Sequence, residues 1–233
     1  MPAHHAPDDI LIAYAAGSLG ASETLLIACH LTLCAACRRV VADAEAVGAA
    51  VLAGAAGLDA PAVPPGVTAG VPDDMLAALL GRLDDPDGPV STGPVTSPLT
   101  SALADPRAQI PAPLFGLTGD LDKGSWRRMF PGIHALDLPA LGDGKLVKVH
   151  RFAAGMRVPS HDHPGLEATL VLSGGFTDDD GHFLRGDLSI RDHTRPHEQR
   201  IDPGEPCVWL WVGDGEFIPR TLMGRLLRFL FSV

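Results

Sequence analysis

The sequence predicts a two-part α + β protein, with a small helical bundle in the N-terminal part and an all-β barrel or sandwich in the C-terminal part. Three observations predict this. Apolar residues recur at helical spacing through residues 7–54, seven prolines fall among Ser, Thr and Gly in residues 84–113, and from about residue 114 short apolar runs alternate with turn residues. A chain of 233 residues is long enough for two modest domains, each with a core of its own. The boundaries that follow are a helical domain over 1–85, a proline-rich linker over 86–113 and a β domain over 114–233.

Within the helical part, Ile10, Leu11 and Tyr14 and then Leu25, Leu26 and Leu33 supply the apolar faces, and Gly17 and Gly20 break the first helix. After Cys37, the residues Val40, Ala44, Val47 and Val51 step by four, three and four, which predicts one buried stripe of an amphipathic helix. Pro72, Asp73 and Asp74 open a further helix, because Pro suits the first helical position and acids suit the positive end of the dipole. Its face is Met75, Leu76, Leu79, Leu80 and Leu83. A helix this short and apolar must dock, either in its own domain as an ordinary core helix or in a partner's groove.

Strands are expected over 133–138, 146–152, 166–172, 182–184, 187–190, 207–212 and 225–231. Asp178, Asp179, Asp180 and Gly181 form a hairpin tip, since Asp and Gly tolerate the positive φ of such turns.

Charge excludes one broad class of function. The net charge is -10, and residues 1–90 hold three basic residues against eleven acidic ones, so no cationic footprint for nucleic acid is present. The acidic half is either an ordinary solvated surface or a face for a basic protein partner. No uncharged apolar run of the length that spans a bilayer occurs, and the first residues include His4, His5, Asp8 and Asp9 rather than a cationic, apolar leader. A soluble, cytoplasmic protein without membrane contact is expected. Cys29, Cys34 and Cys37 crowd together while Cys207 lies far away, a layout for metal or redox chemistry rather than a disulfide framework.

His30, Cys34 and Cys37 are spaced by four and three, so on a continuous helix all three project to one side. A structural zinc site takes four such ligands in a tetrahedron; His5 is the candidate for the fourth, with His4 as the alternate. Cys34-Ala35-Ala36-Cys37 also reads as a thioredoxin-like redox pair or as two buried small hydrophobes, but neither explains His30, and no βαβ pattern surrounds it. The pattern His30-x3-Cys34-x2-Cys37, with an N-terminal His and the Ala-Tyr-Ala-Ala-Gly run at 13–17, resembles the zinc-binding anti-sigma domain over most of residues 4–85. That resemblance implies a three-helix bundle plus a separate fourth helix, here the one bearing Met75 to Leu83, clasped by the two domains of an extracytoplasmic-function sigma factor.

A second set stands in the β part. His161, His163 and Glu167 sit before and at the start of a strand, and His197 follows the Gly186-Asp187 turn; together they make a mixed N/O site for Zn2+ or another divalent transition metal. His134, His150 and His182 are read as surface histidines. The order His-x-His-x3-Glu, then His thirty residues on, resembles the cupin signature, a double-stranded β-helix barrel, over about 114–233. The position of the usual second-motif Pro is Asp192 here, so His193 is a rival ligand; the eleven-residue step from Gly186 to His197 is similar to that of ChrR-type anti-sigma factors.

Both motifs in this order resemble the ChrR family end to end. The resemblance implies a non-enzymatic regulator that holds a sigma factor through its helical domain. It also implies a cupin that senses oxidative stress, including singlet oxygen or organic hydroperoxides. Cys29 is then a candidate resolving thiol. The alternative is a cupin metalloenzyme, a dioxygenase or isomerase, with a zinc-binding accessory domain.

Overall fold

The computed structural model describes residues 2–55, 110–162, 165–191, 197–215 and 218–219. The expected helix over Met75–Leu83, the strand over 225–231 and most of the linker lie outside these residues. Helix α1 spans Asp8–Ala15, α2 Ala21–Leu33 and α3 Ala35–Ala55, and a short α4 over Ala112–Thr118 precedes the strands. Asp8 and Asp9 occupy the first turn of α1, where they complement the helix dipole. The chain leaves α1 through Gly17 at φ +67°, the left-handed conformation that glycine adopts without a Cβ penalty.

Among the described residues eleven strands follow: β1 Arg127–Phe130, β2 Ile133–Asp137, β3 Leu146–Phe152, β4 Arg157–Asp162, β5 Glu167–Ser173, β6 Gly175–Asp178, β7 Gly181–Leu184, β8 Leu188–Arg191, β9 His197–Ile201, β10 Cys207–Gly213 and β11 Ile218–Pro219. They form two sheets ordered β1-β2-β3-β10-β5-β8 and β11-β4-β9-β6-β7, with every pairing antiparallel. The β6–β7 turn closes where the Asp-Gly tip was expected. Strands β1, β4, β6, β9 and β11 were not anticipated. They are short or polar, as in Arg157–Asp162, and lack the apolar run or strict alternation that marks a strand.

The core differs from the sequence expectation of one per domain. On β10, Cys207, Trp209 and Trp211 point between the two sheets, whereas Leu210 and Val212 point outward. The same alternation places Val147 and Val149 of β3, and Ala168, Leu170 and Leu172 of β5, on the outer face of the six-stranded sheet. On that face they share one buried cluster with Leu11, Leu25, Leu26, Ile27 and Cys29 of the helices. Strands buried on both faces explain why β5 and β10 read as nearly unbroken apolar runs. Each fully buried Leu there contributes roughly 1.5–3 kcal/mol of transfer free energy, so the helices are part of the fold of the sheet and not an appendage to it.

The loop between β2 and β3 strengthens this docking. Asp143 Oδ2 accepts from Ser22 N at 2.7 Å and Oδ1 from Ser22 Oγ at 2.8 Å, so a residue from the β part caps α2. Gly20 permits the approach, since a Cβ there would stand 2.9 Å from Asp143 Oδ2. Lys145 Nζ adds a contact to Glu23 at 3.6 Å.

One helical expectation is corrected. Val40 and Ala44 are half-buried, but Val47 and Val51 are 65% and 64% exposed and Leu52 is 73% exposed. Among the described residues nothing covers the second half of α3, because α1 and α2 are shorter and pack only against its start. No single helix among the described residues is long and apolar enough to cross a membrane.

Candidate metal centre

His5, His30, Cys34 and Cys37 converge at the junction of the helices with the β part. One ligand atom from each lies within 4.8 Å of all the others. Cys34 Sγ is 3.2 Å from His5 Nδ1, Cys37 Sγ is 3.5 Å from the same nitrogen, and His30 Nε2 is 3.2 Å from Cys37 Sγ. Around one tetrahedral zinc ion, sulfur and nitrogen ligands stand about 3.5 Å apart, so the donor set fits the metal in chemistry and spacing. Among the described residues this is the one group of three or more such donors that meets.

The convergence is not achieved by a continuous helix, as the spacing predicted. Helix α2 stops at Leu33, Cys34 is extended at φ -116° and ψ 104°, and α3 starts at Ala35, with the two axes bent by 119°. The bend lets the Cys37 amide approach Cys34 Sγ at 3.5 Å, near the N-terminus of α3, where the dipole favours a thiolate. Straight-helix projection placed the three residues on the right side for the wrong reason.

His30 is oriented by its second nitrogen. His30 Nδ1 lies 2.9 Å from the Gly186 carbonyl, which fixes that nitrogen as the donor and leaves Nε2 free to face the thiols. Burial, countered in part by this hydrogen bond, lowers the His30 pKa and keeps the ring neutral, as a ligand must be. The Cys37 thiol is pushed up to about 11 by burial and then by Cys34 beside it. The Cys37 thiol therefore resists ionising without a cation, and a divalent metal supplies the charge that ionises it.

His4, the alternate ligand, points elsewhere. Its ring stacks on Phe183 at 4.0 Å and its Nε2 meets the His182 carbonyl at 3.1 Å. Cys29, the candidate resolving thiol, lies within the shared core. It is fully buried and faces the Leu114 backbone, and burial pushes its pKa up to about 12, which withholds the thiolate that exchange requires. Cys207 is likewise buried and pushed up to about 12.

Two members of the second set face an open cavity between the two sheets. His161 from β4 and Glu167 from β5 both line it, and both are buried. His197 of β9 pairs with His161 in the strand register; His163 and His193 lie outside the described residues. Burial pushes Glu167 up to about 7, against hydrogen bonds from Trp211 and Thr169 that lower it. The amide oxygen of Gln199, also lining the cavity, is buried without a partner among the described residues. A ring nitrogen, a carboxylate and an orphaned amide oxygen on one cavity form a donor set compatible with a divalent cation.

The cavity holds residues that sequence reasoning missed. Lys148 reaches Asp137 at 3.3 Å, and His150, expected on the surface, lines the cavity, accepts from Trp209 Nε1 at 3.3 Å and is driven down to about 3 chiefly by burial. Met129, Ile133, Phe152, Val158, Trp209 and Trp211 supply apolar walls. The available signal was the period-2 phase of residues 146–152, which sets Lys148 and His150 on the face of Phe152. His182 is exposed and pairs with Asp202 at 2.7 Å.

Similarity to known proteins agrees with this architecture. Residues 116–217 match the ChrR Cupin-like domain. A protein described as "Anti-sigma-E factor ChrR" from Cereibacter sphaeroides is 32% identical over 231 residues, 99% of this chain and 98% of its own. The crystal structure of Rhodobacter sphaeroides SigE in complex with the anti-sigma ChrR matches with a TM-score of 0.67 and 31% identity, covering 92% of this chain and all of that one. The fold, the order of its parts and the end-to-end identity agree: the chain belongs to the family of the anti-sigma factor ChrR.

Proposed function

We propose that this protein is an anti-sigma factor that sequesters an extracytoplasmic-function sigma factor in the cytoplasm through its helical part, residues 1–85, and releases it on an oxidative signal received by the barrel. The observation that carries the reading is the identity of 32% along 99% of the chain with a protein described as an anti-sigma-E factor. A match to a regulator over the whole length favours regulation over turnover by the barrel.

In this reading His5, His30, Cys34 and Cys37 hold zinc, which when bound crosslinks the arm before α1 to the α2–α3 bend. The chain's own residues then present the docking surface. Val47, Val51 and Leu52 are exposed on α3, and a partner helix or groove would cover them. Met75, Leu76, Leu79, Leu80 and Leu83 supply a second apolar face for the same partner. The acidic balance of residues 1–90 suits a basic protein surface and speeds the encounter.

The barrel would act as the sensor. His161, His163, Glu167 and His197 would hold Zn2+ or another divalent transition metal, which supplies a Lewis-acidic, oxidant-accessible centre when bound. The apolar walls of the cavity admit a hydrophobic oxidant such as an organic hydroperoxide, and Lys148 and His150 set its polarity.

Co-expression with each sigma factor of the source bacterium tests the reading. A stoichiometric complex that survives gel filtration, and that blocks sigma-dependent transcription in vitro, is the expected result. Failure to bind every sigma factor of that bacterium sinks it.

A further inference from the structure

Three of the four metal-cluster residues lie on or between the helices, but the barrel touches both His30 and the arm that carries His5. Cys34 and Cys37 sit at the α2–α3 bend. His30 and His5 each depend on the turn between β7 and β8. The Gly186 carbonyl receives His30 Nδ1 at 2.9 Å in a buried contact. The next residue, Asp187, is 2% exposed and grips the arm that delivers His5. Its Oδ1 accepts from Ala3 N at 2.6 Å and His4 N at 3.0 Å, and its Oδ2 accepts from Leu184 N at 2.8 Å within the turn. Leu188 N then donates to the His4 carbonyl at 3.2 Å, so the arm runs beside β8 like a short added strand.

The fit leaves no slack. Gly186 has φ +91°, and a Cβ there would lie 2.9 Å from Pro2 Cγ and 3.3 Å from Leu33 Cβ. The arm, the end of α2 and the barrel turn thus touch at one point. Ala6, just beyond His5, is buried in the shared core, so the arm is pinned on both sides of the ligand.

We propose that the Gly186–Asp187 turn of the barrel is a positioning element for the metal cluster: the Gly186 carbonyl orients His30, and the Asp187 carboxylate holds the arm that presents His5. The barrel therefore sets the metal affinity of the helical part, and metal occupancy in turn stabilises the docking of the turn, because the coupling between two equilibria is reciprocal. This rests on the metal reading of the cluster and is independent of sigma binding. It gives the barrel a physical route to the helices, since β8 begins one residue after Asp187 and continues to Arg191, which pairs with Glu167 of the cavity in the strand register.

The test uses the full-length protein. Zinc affinity is measured by competition with a chromophoric chelator, ligand geometry by the visible spectrum of the Co2+-substituted protein, and barrel integrity by the near-ultraviolet circular dichroism of its tryptophans. Asp187→Ala is expected to weaken zinc binding about 10- to 100-fold and to alter the cobalt bands while the tryptophan signal persists. Asp187→Asn keeps one carbonyl oxygen for the Ala3 and His4 amides and is expected to recover most of the affinity, which a general loss of packing would not allow. Ala3→Pro deletes one donor without touching the barrel and is expected to weaken zinc several-fold; it decides the matter should Asp187→Ala fail to fold. Asp143→Ala loosens the other docking point and is expected to leave zinc affinity within about threefold of wild type. Wild-type affinity and cobalt spectrum in a folded Asp187→Ala or in Ala3→Pro would overturn the proposal, as would an equal loss in Asp143→Ala. A wild-type protein that binds no zinc or cobalt at the cluster would instead remove the metal reading beneath it.

Discussion

The helical cluster and the barrel cavity gather metal-type ligands in opposite ways. In the helical cluster, three of four residues come from an eight-residue stretch, and a single bend in the chain brings their atoms together. In the cavity, His161 and Glu167 come from different sheets and line one space only because the two sheets pack together. A local knot is stabilised mainly by its own ion, whereas a site on facing sheets inherits its geometry from a packed core. The two sites should therefore respond very differently to the same kind of damage.

The largest effect is expected from the knot. Cys34→Ser or His30→Ala should release one zinc per chain by elemental analysis and abolish the sigma complex, because a structural zinc carries an apparent binding free energy on the order of 10 kcal/mol. Unchanged metal content after either substitution would end the ligand assignment. Complete chelation should act in the same way, and helices that stay folded and inhibitory without metal would contradict it.

A middle-sized effect would sharpen the comparison by testing the core that the two regions share. Leu210 is fully buried on the face of β10 that meets the helices. Leu210→Ala should cost about 2–5 kcal/mol, and denaturant unfolding followed by tryptophan fluorescence and by helical circular dichroism should shift together. Two separated transitions would mean that the helices and barrel fold independently.

Smaller still is the loss of the α2 cap. Asp143→Ala should destabilise the protein by about 0.5–2 kcal/mol in the same titration. The contribution has a defined pH window. Burial tends to raise the Asp143 pKa, but hydrogen bonds from the Ser22 amide and hydroxyl and from Lys145 N outweigh it and hold the carboxyl below its ordinary 3.8. A depressed pKa means stability that is present above the unfolded value and lost as pH falls through the folded one. Wild type and Asp143→Ala should therefore converge in stability below about pH 4, and a gap that widens in acid would refute the cap.

The least effect on the knot is expected from the cavity. His161→Ala should leave the helical zinc and the sigma complex intact while lowering the metal content of the barrel and blunting release in a transcription reporter. Loss of sigma binding in this variant would erase the distinction between the two sites.

Much of this was legible in the residues. Helix-period apolar positions, Cys-x2-Cys with a histidine four residues upstream and strong apolar runs for β3, β5 and β10 are local signals, and local signals survive in one dimension. The polar strands β4 and β9 were not legible, because their hydrogen bonds come from neighbours distant in sequence. His150 was misread as a surface residue, since its burial depends on Trp209 lying across the sheet. Val47 and Val51 were misread as buried, since periodicity identifies an apolar stripe without revealing whether anything lies on it.

By itself, then, the sequence determined the class of each half, their order and the identity of the residues able to grip a metal among the helices, because these follow from side-chain chemistry and short-range spacing. Only the tertiary structure decided that the halves share a core, that α2 breaks at Cys34 and that the Gly186–Asp187 turn of the barrel braces His30 and the His5 arm. The shared core and the bracing depend on contacts between residues more than a hundred positions apart, and nothing in local periodicity encodes which distant backbone atom will stand opposite a given ring or amide.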